Sequence, residues 1–244
     1  MSMKATPSDQ RSILDVARFD QQTSLLRHKA STLPELLEIT NTTIKFNNAR
    51  DLRIAAETEL SDVKRELLRA EADVEQVVSR ITRDEARLAG GSASPKELEQ
   101  LQHEVGTLST RRAELEEVEL EIMMRVDAIQ ASIAKLSQEG GELAAVIADL
   151  EIRKENAMAA INTELESIAS DRISTVSGIE KALVELYEKL RGDSGGPGAA
   201  ALVAGACSGC NLSINTVELK RLTDLADDEV VRCEECRCIL VRGV

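Results

Sequence analysis

Residues 98–150 read LEQLQHEVGTLSTRRAELEEVELEIMMRVDAIQASIAKLSQEGGELAAVIADL. Leu101, Leu108, Leu115, Ile122, Ile129, Leu136, Leu143 and Leu150 recur every seven residues, a row that Ala157 continues. A companion row holds Leu98, Val105, Val126, Ile133, Ile147 and Ile161, with Arg112, Glu119, Gly140 and Lys154 as its exceptions. Two such rows fall on one side of an α-helix and are buried only against another helix. The run exceeds the three or four heptads that mark a coiled coil. Upstream, Leu60, Leu67, Val74, Ile81 and Leu88 share one register, and Val63, Ala70 and Val77 take the other. Past Ile161 the spacing becomes 4-4-3 through Leu165, Ile168, Arg172, Val176 and Ile179. Eleven-residue spacing relaxes a left-handed supercoil, so the twist is expected to fade over 161–179.

Breakers divide this helical chain at few places. Pro7 follows Thr6, which suits an N-cap, so a helix is expected over about 7–30. Pro34 ends it near Ser31-Thr32-Leu33, and a long helix follows to about 88. Gly90-Gly91-Ser92-Ala93-Ser94-Pro95 is the clearest turn, and Ser94 with Glu97 forms a capping box that restarts a helix. That turn is too short to let the two long helices part, so they are expected to fold back as an antiparallel hairpin. A helix of about 95 residues would span about 140 Å. The chain start, residue 190 and the tail would then gather at the end away from the turn. The fold-back sets Gly140-Gly141 opposite Ile44 and Phe46, where the glycines either accommodate bulk or are merely tolerated. Gly192 to Gly198 reads as a linker. The expected domains are a coiled-coil hairpin over 1–191, a linker over 192–198 and a small C-terminal module over 199–244.

Composition agrees with long solvent-bathed helices. The chain has 244 residues, 30% of them charged, with a formal net charge of −13. Tyr187, Phe19 and Phe46 are its only aromatics. A large globular enzyme core would normally use many, because each buries so much surface. Neither a secretory h-region nor an apolar run of membrane-spanning length is found, and a cytoplasmic protein is expected.

All five cysteines fall after residue 206. Cys207-Ser208-Gly209-Cys210 and Cys233-Glu234-Glu235-Cys236 form two C-x-x-C knuckles separated by 22 residues. Two residues between thiolates let one tight turn present both to a tetrahedral ion, so Cys207, Cys210, Cys233 and Cys236 are expected to hold one structural Zn²⁺. Four thiolates leave no open coordination position for catalysis. Gly209 suits the turn, and Ala199–Val203, Val230–Arg232 and Ile239–Val241 look like small supporting strands. Cys238 offers a rival ligand beyond the second knuckle; the two-residue spacing favours Cys233 with Cys236. A module this small draws much of its folding free energy from the metal. Chelation is expected to melt 199–244 and leave the helices intact.

Together these features resemble the bacterial C4-type zinc-ribbon family with an N-terminal coiled-coil hairpin. The matching stretches are Ser94-Pro95-Lys96-Glu97 with Leu101 and Glu104, Leu186-Tyr187-Glu188-Lys189-Leu190-Arg191, and the two knuckles with Ile239-Leu240. Family members usually read Cys-Gly-Arg after the second knuckle, where this chain has Cys236-Arg237-Cys238. The resemblance implies a non-enzymatic adaptor linked to transcription and its regulators, with some suggestion of nucleic-acid contact.

No catalytic constellation competes with that expectation. His28 and His103 are the only histidines and read as helix-surface residues. Gly90 to Lys96 lacks the order of a phosphate loop, and Glu114, Glu116, Glu117, Glu119 and Glu121 read as a solvated face. Residues 199–244 carry five basic against seven acidic residues and no aromatic for base stacking. Nucleic acid, if bound, would use Arg232, Arg237 and Arg242 with the less acidic residues 1–58, which hold eight basic and seven acidic residues. Protein partners, including transcription machinery, are the leading expectation. Apolar seams can close within one chain or between two, so monomer and dimer both remain open.

Overall fold

The computed structural model describes residues 3–91, 94–194 and 196–243. Ser92 and Ala93 of the expected turn and Gly195 of the expected linker lie outside the described residues. Among the described residues, five helices and four short strands follow in the order α1 (Pro7–Ser31), α2 (Pro34–Ala89), α3 (Pro95–Ser177), α4 (Lys181–Ser194), β1 (Ala199–Val203), β2 (Ala206–Cys207), α5 (Thr216–Asp224), β3 (Val231–Arg232) and β4 (Ile239–Val241). The long helices form a hairpin-like coiled coil, followed by the ribbon. Their starts follow local chemistry. Thr6 Oγ1 accepts the Asp9 N–H at 3.0 Å, with Pro7 opening α1. At α3 the Ser94 N–H donates to Glu97 Oε2 at 2.8 Å, and Ser94 Oγ faces the Glu97 N–H at 3.4 Å.

The chain divides into two compact units, Leu37–Glu151 and Met1–Leu36 with Ile152–Val244. In the first, burial follows the heptads: Val63, Ala70 and Ile81 on α2 are buried, as are Leu101, Val126 and Leu150 on α3. Arg125 reaches across to Glu66 at 2.9 Å, and Arg80 pairs with Glu104. Asp84 continues the row of Val63, Ala70 and Val77 and is likewise buried, and its Oδ2 has no hydrogen-bond partner among the described residues. Gly140 lines a groove of about 250 Å³ with Phe46, Arg50, Arg53, Leu136 and Ser137. A Cβ at Gly140 or Gly141 would meet nothing within 4 Å, so close packing is not what requires these glycines.

In the second unit one expected helix is broken in two. A continuous helix from 95 to about 190 is interrupted at Gly178-Ile179-Glu180, between α3 and α4. Gly178 is a weak helix former. Burial of Ile179 in a core shared with Ile13, Val16, Leu183 and Tyr187 stabilises the broken path. Above that core lies a polar network that the sequence did not announce. Asp20 is buried on α1 and accepts Arg172 Nε at 2.8 Å, Arg172 Nη2 at 3.1 Å and the Tyr187 hydroxyl at 2.7 Å. Arg191 Nη1 adds a contact at 3.2 Å, and Arg172 also reaches Glu188. One carboxylate thus ties α1 to α3 and α4. Burial and the hydrogen bond to Asp20 push the Tyr187 phenol above its ordinary pKa. The sole tyrosine in an aromatic-poor chain was the available signal, since a buried phenol needs a partner.

The ribbon belongs to this unit. Its sheet has the order β2-β1-β4-β3, with β1 and β4 parallel and the other pairs antiparallel. Ala199, Ile239 and Val241 enter the same core as α1 and α4. The chain start is tied to it as well: the Ala5 N–H donates to Asp228 O at 2.8 Å and the Val230 N–H to Met3 O at 3.0 Å. Gly198 is required by close approach, because a Cβ there would lie 2.6 Å from the Tyr187 ring.

Candidate metal centre

Each knuckle is a turn held by the backbone. The Asn211 N–H donates to Cys207 O at 2.8 Å, and the Arg237 N–H to Cys233 O at 3.0 Å. Asn211 and Arg237 take left-handed conformations, with φ of 58° and 61°. Arg237 occupies the place where the related pattern has glycine, which explains that glycine: only it adopts this φ without steric cost. Gly209, by contrast, answers to space, since a Cβ there would lie 2.9 Å from Pro197 and 3.0 Å from Ala200. Helix α5, absent from the sequence expectation, fills the stretch between the knuckles. Asn215 caps it, accepting the Glu218 N–H at 2.8 Å, and Leu222 packs among Cys207, Cys233 and Cys238.

The sulfurs of Cys207, Cys210, Cys233 and Cys236 all lie within 4.8 Å of one another. Cys207 and Cys236 are 3.8 Å apart, and Cys210 and Cys233 are 3.9 Å apart. A tetrahedron with Zn–S bonds of about 2.3 Å has edges of about 3.8 Å, so the donor set fits the ion. Backbone N–H groups point at the sulfurs: Leu212 at Cys210, Glu235 and Cys236 at Cys233, and Cys238 at Cys236. Such bonds favour thiolate over thiol. At Cys236 burial opposes ionisation, yet the backbone and thiol donors outweigh it and bring the pKa down to about 7. Burial pushes the Cys233 thiol up to about 12. A C4 ribbon of this kind takes one structural Zn²⁺, which crosslinks the two knuckles and leaves no site for substrate.

The fifth cysteine is buried beside this set, with its sulfur 3.3 Å from Cys236 and 3.7 Å from Cys207. The three arginines singled out for nucleic-acid contact are differently placed. Arg232 and Arg237 are exposed. Arg242 turns inward: Nη1 donates to Leu222 O and Leu225 O, and Nη2 to Ala226 O and Glu229 O. It therefore clamps the end of α5 and the following loop to β4. No helix among the described residues is long and apolar enough to cross a membrane.

Residues 16–195 match the CT398-like coiled coil hairpin domain, and residues 206–240 match the C4-type zinc ribbon domain. An uncharacterized protein of Mycobacterium tuberculosis is 34% identical over 98% of both chains. Another from Mycobacterium leprae is 27% identical over 92% of this chain and 96% of its own. A solved structure from Mycobacterium smegmatis superposes with a TM-score of 0.86 at 32% identity, covering 99% of this chain and 100% of that one. CT398 from Chlamydia trachomatis shares the fold, with a TM-score of 0.67 at 19% identity over 97% and 98% of the two chains.

Proposed function

This chain belongs to the CT398-like coiled-coil hairpin family with a C4-type zinc ribbon, and from that premise we propose that it is a non-enzymatic adaptor binding protein partners through its coiled coil and ribbon. Both domains are of non-enzymatic kinds. The observation that carries the reading is apolar surface on helices whose seam is already closed. Leu68 and Met124 are 65% exposed, Leu120 is 57% exposed, and Leu52 and Met123 join them. Covering large exposed apolar side chains with the apolar face of a partner is favourable, and a helix laid along the hairpin is the cover we propose. The family resemblance suggests transcription machinery as the partner class, and five cysteines with no disulfide among them suit the reducing cytoplasm. Nucleic-acid binding is the weaker reading, because Arg242 is engaged by carbonyls and the ribbon is net acidic.

Immobilised full-length chain should retain purified bacterial RNA polymerase. A Leu68→Glu/Leu120→Glu/Met124→Glu variant should lose at least about tenfold in affinity, each truncated hot-spot contact being worth more than ~1 kcal/mol. Equal retention by the variant removes the helix-face reading, and no retention by the wild type removes the transcription link. A low-salt mobility shift that disappears in Arg232→Glu/Arg237→Glu would favour nucleic acid instead.

A further inference from the structure

The position of Cys238 has a use that the zinc reading leaves unassigned. Its sulfur is buried, not solvent-facing, and lies against two of the four cysteines of the centre. The 3.7 Å separation from Cys207 matches a tetrahedron edge of about 3.8 Å. The 3.3 Å separation from Cys236 is too short for two ligands of the same tetrahedron, so Cys236 and Cys238 are alternatives for one vertex. The left-handed Arg237 between them turns the chain so that the Cys238 sulfur lies against that of Cys236. The main chain of Cys238 is already fixed there, its carbonyl accepting the Cys233 N–H at 3.0 Å. Cys238 stands outside the set whose sulfurs are all within 4.8 Å, so rotation about its Cα–Cβ bond is the movement that would bring it to the vertex. Cys210 and Cys236 are partly exposed, whereas Cys238 is buried. One of the two partly exposed ligands is therefore the one with a neighbour behind it.

We propose that Cys238 is a reserve zinc ligand, which takes the vertex of Cys236 when that sulfur is removed or blocked. The inference rests on the zinc centre itself, and its test separates the two. Full-length wild type, Cys233→Ala, Cys236→Ala, Cys238→Ala and Cys236→Ala/Cys238→Ala are purified and assayed for zinc by elemental analysis. X-ray absorption counts the sulfur ligands, and a chelator competition gives the affinity. Wild type and Cys238→Ala should carry one zinc on four sulfurs. Cys236→Ala should do the same, binding within about tenfold of wild type, the scale of a supporting-residue change. Cys233→Ala and the double variant should weaken by more than about a hundredfold, as loss of a ligand from a folding-coupled site requires. Zinc loss from Cys236→Ala equal to that of Cys233→Ala, or three sulfurs on its metal, overturns the proposal. A zinc-free wild type would overturn the centre and this proposal with it.

A second measurement uses folded wild type alone. Limited N-ethylmaleimide treatment followed by native mass spectrometry should show the species carrying one adduct, mapped to Cys236, still holding zinc. Zinc release with that first adduct would overturn the assignment even if the Ala variants fold poorly.

Discussion

Asp20 and Arg242 show how single buried polar side chains organise this protein. Arg242 spends both terminal nitrogens on four carbonyls, so a residue that reads as a surface charge is a clamp. Asp20 gathers two guanidinium groups and a phenol, and removing it would leave the two guanidinium groups to share the more exposed Glu188 and the buried phenol without its acceptor. Breaking such a pair typically costs several kcal/mol, more than its formation contributes. Asp20→Ala should therefore destabilise the unit by about 3 kcal/mol, and Tyr187→Phe, which loses one hydrogen bond, by about 1 kcal/mol. Urea unfolding monitored by hydrogen exchange in α4 checks both. An Asp20→Ala midpoint equal to wild type would show that the network contributes nothing.

Among the helices, the most informative position is the one where a heptad row carries a buried charge. Asp84 is 8% exposed at a seam position, and one of its oxygens has no partner among the described residues. Polar seam residues fix register at a cost in stability. Asp84→Leu should stabilise the hairpin by about 1–2 kcal/mol, the usual penalty of an unsatisfied buried polar atom. Thermal melting followed by circular dichroism reads this directly, and an unchanged or lower midpoint would contradict it. The break at Gly178 makes the complementary point, since the helical spacing that continues through Ile179 in the sequence is interrupted where Ile179 joins the core.

Across the molecule, the ribbon and the helices beside it share one core. Ile239 and Val241 pack with Ile13, Val16 and Tyr187, and residues 3–5 pair with 228–230. Chelation should therefore melt the ribbon and also loosen α1 and α4, beyond the ribbon-only melting that the sequence suggested. Hydrogen exchange with and without chelator should show protection lost over 199–243 and lowered over 7–31 and 181–194, while 37–151 stays protected. Retained protection in the ribbon would contradict the metal's structural role. Acid should act in the same direction: zinc requires thiolates, so occupancy is complete at neutral pH and falls as pH falls and protons compete for the sulfurs. Zinc content measured across a pH series tests that sign.

The heptad rows, the Ser94–Glu97 capping box and the two knuckles were legible in the sequence because each is local. Helical periodicity, a cap and a C-x-x-C turn are set by residues a few positions apart. The Asn215 cap of α5 and the weak helix former Gly178 were local signals, but the packing of Leu222 and Ile179 that completes them, like the inward turn of Arg242, depends on partners outside the local turn. Asp20 meets Arg172 across 152 residues, and Cys207 meets Cys238 across 31. The chain's own pattern determined a paired-helix hairpin followed by a thiolate metal module. Only the tertiary structure decided which charges are buried, which glycines are needed for space, and which sulfurs share a vertex, since those outcomes are fixed by proximity in three dimensions and not by spacing along the chain.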